Sequence, residues 1–254
     1  MRWGVVLLIL FIVSNLYSQS TAGEGAIYES RYIVDMPNAG VLGKGDYVFY
    51  SSVFSEGGVS LLFEASPFRN FSLGISYSGV NIVGSGAVRW QNIPGVHLKF
   101  RLFDECKSLP AITVGANTQG KGFYSFSEKR FVTLSPGMYL ALSKNYRWFL
   151  GMVSFHTGIN YSLEPIPERR KANFYLGLEH SIGKYVSANF EYNFNFDEEK
   201  GLFYEDRGLM NLALRWSISK GITLELQARD LLENVKYYSG YNRAIVVEYI
   251  GVFE

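Results

Sequence analysis

The stretch Tyr185–Phe196, YVSANFEYNFNF, sorts its residues by parity. Val186, Ala188, Phe190, Tyr192, Phe194 and Phe196 fall on one side, and Ser187, Asn189, Glu191, Asn193 and Asn195 on the other. Period-two alternation of this length is a β-strand whose two faces meet different surroundings. The same division recurs along most of the later chain, and its apolar side is consistently large and aromatic. Lipid outside and a polar lumen inside account for that pattern. The expected fold is all-β: a closed up-and-down antiparallel transmembrane β-barrel of about twelve strands. A secreted soluble β-sandwich is the alternative.

The twelve expected strands are Asp46–Phe54, Val59–Ser66, Asn70–Ser78, Val96–Phe103, Ala111–Thr118, Phe131–Ser143, Arg147–Tyr161, Asn173–Ile182, Tyr185–Phe196, Leu209–Ser219, Ile222–Arg229 and Arg243–Phe253. Most of them reach the roughly 9–11 residues that a tilted membrane strand requires. Pro136 removes a ladder donor, so a bulge or break is expected there. The links sort by length. Pro67–Arg69, Asp104–Pro110, Lys144–Tyr146, Gly183–Lys184 and Lys220–Gly221 are short, whereas Gly79–Gly95, Gln119–Arg130, Ser162–Ala172, Asp197–Gly208 and Asp230–Asn242 are long. Only Ser55–Gly58 is short among the odd-numbered links. Outer-membrane barrels keep short turns on the periplasmic side and long loops outside. That sorting places both termini in the periplasm.

Residues 1–20 read as a signal peptide: Arg2, an apolar run from Val5 to Val13, then Ser18 and Ser20, after either of which cleavage is expected. The run is too short to span a bilayer as a helix. Residues 21–45, rich in Gly and poor in alternation, form a periplasmic lead-in that tucks into the barrel mouth, and 46–254 form the barrel. Removing Arg2 with the signal leaves 23 of the 24 basic residues against 23 acidic ones. That neutral balance gives no support to a nucleic-acid partner. The partners expected are outer-membrane lipid, the barrel-assembly machinery during biogenesis, and small solutes or polysaccharide.

Several segments carry a resemblance: DMPNAGVLGKG (Asp35–Gly45), LGISYSGVNIVGSG (Leu73–Gly86), PGVHLKFRL (Pro94–Leu102), LPAITVG (Leu109–Gly115), ALSKNY (Ala141–Tyr146), GINYSLE (Gly158–Glu164) and LELQARDLL (Leu224–Leu232). The chain resembles a family of bacterial outer-membrane barrels related to those encoded with exopolysaccharide-biosynthesis genes, the Yjb type. The resemblance implies an envelope barrel linked to surface polysaccharide.

No enzyme signature emerges. Twelve-stranded outer-membrane phospholipases place a serine two positions after a histidine so that both share a face. Here Gly158 follows His156 and Ile182 follows His180 at that spacing. Asp197, Asp206 and Asp230 lie in long links that hold no His. His97, His156 and His180 lack the close spacing of a metal site, and no cofactor is implied. Cys106 is the only cysteine, so an internal disulfide is impossible. What remains is the inward charge of the strands: Glu64, Lys99, Arg101, Glu179, Glu191, Arg215, Glu225 and Arg229, with Glu248 beside them. As lumen-lining residues they serve a weakly selective, porin-like pore, or pair across strands in a non-conducting structural or assembly barrel. Glu191, Arg215 and Glu225, on three consecutive strands at matching counted depths, are expected to form one cluster.

Overall fold

The computed structural model describes residues 28–165, 171–198, 200–237, 240 and 242–253. The signal peptide and the first residues of the lead-in lie outside these. Twelve strands build the wall: β1 Asp46–Phe54, β2 Gly58–Phe68, β3 Phe71–Val80, β4 Gly95–Phe103, β5 Ala111–Asn117, β6 Gly137–Trp148, β7 Gly151–Tyr161, β8 Asn173–Ile182, β9 Val186–Asn193, β10 Leu209–Ser219, β11 Ile222–Arg229 and β12 Asn242–Val252. Every strand pairs antiparallel with its sequence neighbours, and β12 returns to β1 through pairs such as Val48↔Ile250. Closure leaves no sheet edge, which is the condition for a sheet to exist in hydrocarbon.

Facing follows parity. Leu73, Ile75 and Tyr77 on β3, Val96, Leu98 and Phe100 on β4, and Leu212, Leu214 and Trp216 on β10 are exposed on the outside, while Ser72, Ser76, His97, Lys99, Asn211 and Arg215 are buried inside. The short and long connections segregate to opposite ends. Turns such as Gly183 and Gly221, both at positive φ, close one end; the long loops gather at the other. The β1–β2 hairpin is tight at the long-loop end because Glu56 and Gly57 both take positive φ, as a two-residue type I′ turn requires.

At three places the strand bounds differ from expectation by three residues or more. The strand expected over Phe131–Ser143 begins at Gly137, immediately after Pro136, and is bulged there, with Gly137 and Met138 both opposite Tyr161. Phe131–Thr133 instead belong to a separate hairpin, Lys121–Ser125 paired with Arg130–Thr133, over the long-loop mouth. The following turn is Phe149–Leu150, because Lys144–Tyr146 lie inside the ladder opposite Val153–Phe155. The turn-like polarity of that stretch serves a different contact: Asn145 donates through its N–H and its Nδ2 to Glu105 at 3.0 and 2.6 Å, and Lys144 Nζ donates to the Leu109 carbonyl at 3.3 Å. Those polar side chains pin the β4–β5 loop. At β9 the ladder ends at Asn193, whose Oδ1 accepts the Asn195 N–H at 3.2 Å while Asn195 takes φ of 50°. A side chain that bonds its own backbone two residues on ends the strand even where alternation continues.

The barrel is not empty. Residues 28–45 enter it and double back in a tight loop, with Tyr32 bridged to Pro37, the Ile33 N–H on the Met36 carbonyl at 2.9 Å, and the Asn38 N–H on the Arg31 carbonyl at 3.2 Å. Ile33 and Met36 pack on Tyr175 of β8, and Leu42 packs on Val48 and Ile250 where the segment joins β1. A Cβ on Gly177 would lie 2.6 Å from the Ile33 side chain, so the bare backbone there makes room for the insert.

Phe190 stands on the outer face between Leu178 and Leu212, whereas Phe149 projects from a turn. Phe190→Arg is expected to destabilise the folded barrel in lipid vesicles by about 2–4 kcal/mol, and Phe149→Arg by about 1 kcal/mol or less. Urea unfolding of the two variants checks this; equal losses would contradict the facing.

Candidate functional site

All eight inward charges foreseen from the strands are buried: Glu64, Lys99, Arg101, Glu179, Glu191, Arg215, Glu225 and Arg229. Most of their polar bonds run to the inserted segment. Glu191 illustrates the chemistry. Its Oε2 accepts the successive N–H groups of Val34, Asp35 and Met36 at 3.0, 2.9 and 2.8 Å, and its Oε1 accepts Asn211 Nδ2 at 2.8 Å. A tight loop that aims consecutive N–H groups at one point is a built anion cradle, and here the anion is a wall carboxylate.

The cations do the converse. Lys99 Nζ donates to the carbonyls of Arg31, Asn38 and Gly40 at 2.7, 3.2 and 2.9 Å. Arg101 donates twice to the Ala39 carbonyl, at 3.2 and 2.8 Å, and pairs with Glu29. Arg215 Nη2 reaches the carbonyls of Tyr32 and Ile33 at 3.2 and 3.1 Å. The segment contributes two further charges of its own. Arg31 bridges Glu64 at 2.9 Å and Glu248 at 2.5 Å, and Asp35 lies 3.1 Å from Arg229. The Asp35–Arg229 geometry is that of an ion pair, since neither guanidinium Nη2 nor Asp35 Oδ1 completes a directed hydrogen bond.

The expected three-strand cluster forms differently. Arg215 sits directly opposite Glu225, with Nε 2.7 Å from the carboxylate, and its second carboxylate is Glu179 at 3.4 Å. Glu191 is not a member. The register sets Arg215 against Ser187 and Glu191 against Asn211, four residues along the strand, or roughly 13 Å at a strand's rise. β9 ends at Asn193 rather than Phe196, which sets Glu191 nearer the long-loop end than Arg215.

Serine–histidine pairs that no i,i+2 spacing announces do occur across strands. Ser76 Oγ lies 2.8 Å from His97 Nε2, and Ser143 Oγ 2.7 Å from His156 Nδ1. Both belong to the packing of the insert: His97 Nδ1 meets Tyr32 Oη at 3.1 Å, and Ser143 Oγ accepts the Ala39 N–H at 3.0 Å. His180, on the outer side, accepts Trp148 Nε1 at 3.1 Å. Among the described residues no three His, Cys, Asp or Glu side chains converge as a metal site.

Two spaces frame the insert. Toward the short turns a cavity of about 560 Å³ is bounded by Tyr28–Tyr32 on one side and Tyr50, Thr223, Glu225 and Glu248 on the other. Toward the long loops the mouth is covered. Val132 of the hairpin, Tyr204, Leu209 and Val235 form an apolar knot, with Phe123 and Phe203 against it. Arg130, buried below it, donates to both oxygens of Glu198 at 2.6 and 2.7 Å. Burial of this loop carboxyl pushes it up to about 7 against the pull of Arg130, and the neighbouring Asp197 rises to about 6 for the same reason.

No protein-family model and no curated protein matches the chain. Solved structures do. The KdgM porin aligns with a TM-score of 0.51 at 12% identity, covering 82% of this chain and 99% of that one. The NanC porin gives 0.44 at 8%, covering 82% and 100%, and outer membrane phospholipase A from Escherichia coli gives 0.34 at 12%, covering 83% and 90%. The protein has the fold of a porin-like outer-membrane barrel. The likeness to the KdgM porin is one of fold, and the apolar outer face is what seats that fold in the outer membrane.

Two outcomes follow. Arg215→Ala takes a cationic donor from Glu179, Glu225 and two carbonyls, and is expected to lose about 3–5 kcal/mol of unfolding free energy. Glu225→Ala, which leaves Arg215 its other three partners, loses less; the reverse order in urea titrations would contradict this assignment. For the lid, the buried Glu198 has a raised folded-state pKa. Its contribution to closure is therefore full below the ordinary carboxylate range and falls as pH rises through about 7. Tryptic cleavage at Lys129, normalised to an unfolded control at each pH, should rise several-fold between pH 6 and 8.5, and Glu198→Gln should flatten that rise.

Proposed function

We propose that this outer-membrane barrel is closed at rest by its own N-terminal segment and serves surface polysaccharide at the cell envelope, rather than acting as a constitutive pore or an enzyme. The observation that carries the closed state is the occupancy of the lumen by residues 28–45, whose backbone meets the wall charges at hydrogen-bond distance. A lumen occupied by a folded-back peptide leaves little width for water along the barrel axis, and charges bonded to that peptide are not presented to a solute. Support for the polysaccharide link is the resemblance of Asp35–Gly45 and the other quoted segments to exopolysaccharide-linked barrels. Both termini are taken as periplasmic, as the sorting of turns and loops requires.

A porin role for small solutes keeps one specific observation in its favour. The insert is held chiefly by polar bonds, which water can replace. Opening is then a matter of displacing it.

Planar-bilayer recording separates the two states. The mature protein should show no stable channels. Gly40→Val should show them in part of the recordings, because a Cβ on Gly40 would lie 1.8 Å from the Ser30 carbonyl oxygen inside the insert and the loop cannot close. Stable conductance in the unmodified protein would overturn the closed-barrel reading. Deletion of the gene without change in surface polysaccharide would overturn the envelope role.

A further inference from the structure

The lid hairpin carries one ion pair near its turn and another near its root, and between them Glu164 accepts the Phe131 N–H at 2.7 Å. Arg130, on its second strand, is latched to Glu198 of the β9–β10 loop. Lys121, the first residue of its first strand, reaches inward to Asp35 at the tip of the insert, with Nζ 3.4 Å from Oδ1. The same oxygen faces Arg229 of the wall at 3.1 Å, Asn211 Nδ2 lies 3.4 Å from Oδ2, and the Asp35 N–H rests on Glu191. One carboxylate on the insert thus joins lid, wall and lumen.

We infer that the N-terminal insert is a bolt for the outer lid: its withdrawal toward the short-turn end frees the Lys121 end of the hairpin. Three features of the geometry point the same way. Both ends of the inserted segment lie at the short-turn end, since Gly45 runs into β1 there and Tyr28 borders the cavity beside Lys184, Lys220 and Gly221. A loop with both ends on one side can leave without threading the barrel. The 560 Å³ cavity alongside Tyr28–Tyr32 gives it space to begin moving. Asp35 sits at the far tip, so the contact that meets the lid is lost when the tip retreats. Removing Asp35 leaves Lys121 over a lumen whose remaining charge includes Arg229, and repulsion replaces attraction between hairpin and wall.

This coupling rests on the closed-barrel reading, and it is tested by a readout other than conductance. In a Cys106→Ser background, insert position is followed by thiol labelling of Ala39→Cys, and lid position by tryptic cleavage at Lys129, which is exposed in the hairpin turn. Heat-modifiable gel migration verifies that each variant is a folded barrel. Lys121→Gln should raise lid cleavage about three- to tenfold with labelling at Ala39→Cys unchanged. Gly40→Val should raise both. Combining them should raise lid cleavage no further than either alone. Asp35→Asn, which keeps shape and removes charge, should match Lys121→Gln in lid cleavage even if Gly40→Val fails to fold. Wild-type lid cleavage in Asp35→Asn, or multiplied effects in the double variant, would overturn the bolt. A conducting wild-type barrel with this non-additivity intact would instead overturn the closed resting state alone.

Discussion

A barrel wall that points both signs of charge into a narrow interior must answer each charge with a partner, because an unpaired ion removed from water costs several kcal/mol. Cross-strand pairing answers some of this demand, as Arg215 and Glu225 do at directly opposed positions. It cannot answer all of it. Glu191 faces Asn211, Lys99 faces Gly115 and Ser72, and Arg101 faces Thr113. The inserted segment supplies what the ladder lacks. A peptide backbone outside a sheet carries free N–H and C=O groups that are obligatory hydrogen-bonding partners. Segment and wall therefore solve each other's problem: three N–H groups saturate Glu191, and carbonyls saturate Lys99, Arg101 and Arg215.

Space for the insert comes from small residues in the wall. Gly177 admits Ile33, and the Tyr139 and Tyr175 rings lie over Gly115 and Gly158, where a Cβ would come within 2.3 and 2.2 Å of them. Tyr175, flattened in this way, still reaches the Pro37 carbonyl with its hydroxyl at 2.7 Å. Aromatic mass on the inside of a polar barrel is thus spent on the insert. The aromatics of the outer face, by contrast, meet lipid.

Parity made the wall readable: β1, β8, β10 and β11 have the bounds that alternation and turn residues predict, because a membrane strand is constrained on both faces at once. Ends governed by side-chain bonds were not readable in that way. Asn195 continues the alternation of β9 yet lies beyond it, and Lys144–Tyr146 look like a turn yet belong to a strand. The inward identity of the eight charges follows from period two alone. Their partners in the insert do not, since those lie 59 or more positions away for Lys99 and more than 150 for Glu191. One local signal was present. Asp35 and Arg31 are opposite charges in a segment that does not alternate, and a charge pair in such a segment has to be answered from elsewhere in the fold.

The two closures of the barrel obey different physics. The lid rests on an apolar knot around Val132 and Tyr204, together with the buried Arg130–Glu198 pair and the Glu164 carboxyl on the hairpin backbone. Such a contact has no good replacement in water, so it reopens only at a cost that scales with the area exposed. The directed bonds of the insert run through groups that water satisfies equally well, with Ile33, Val34, Met36, Ala39 and Leu42 as its buried apolar residues. Withdrawal of the insert floods the lumen and rehydrates both sides of each broken bond, so the net change per hydrogen bond is small. The inner closure is therefore the easier of the two to release, and a contact between them, at Asp35 and Lys121, gives the easier motion a hold on the harder one.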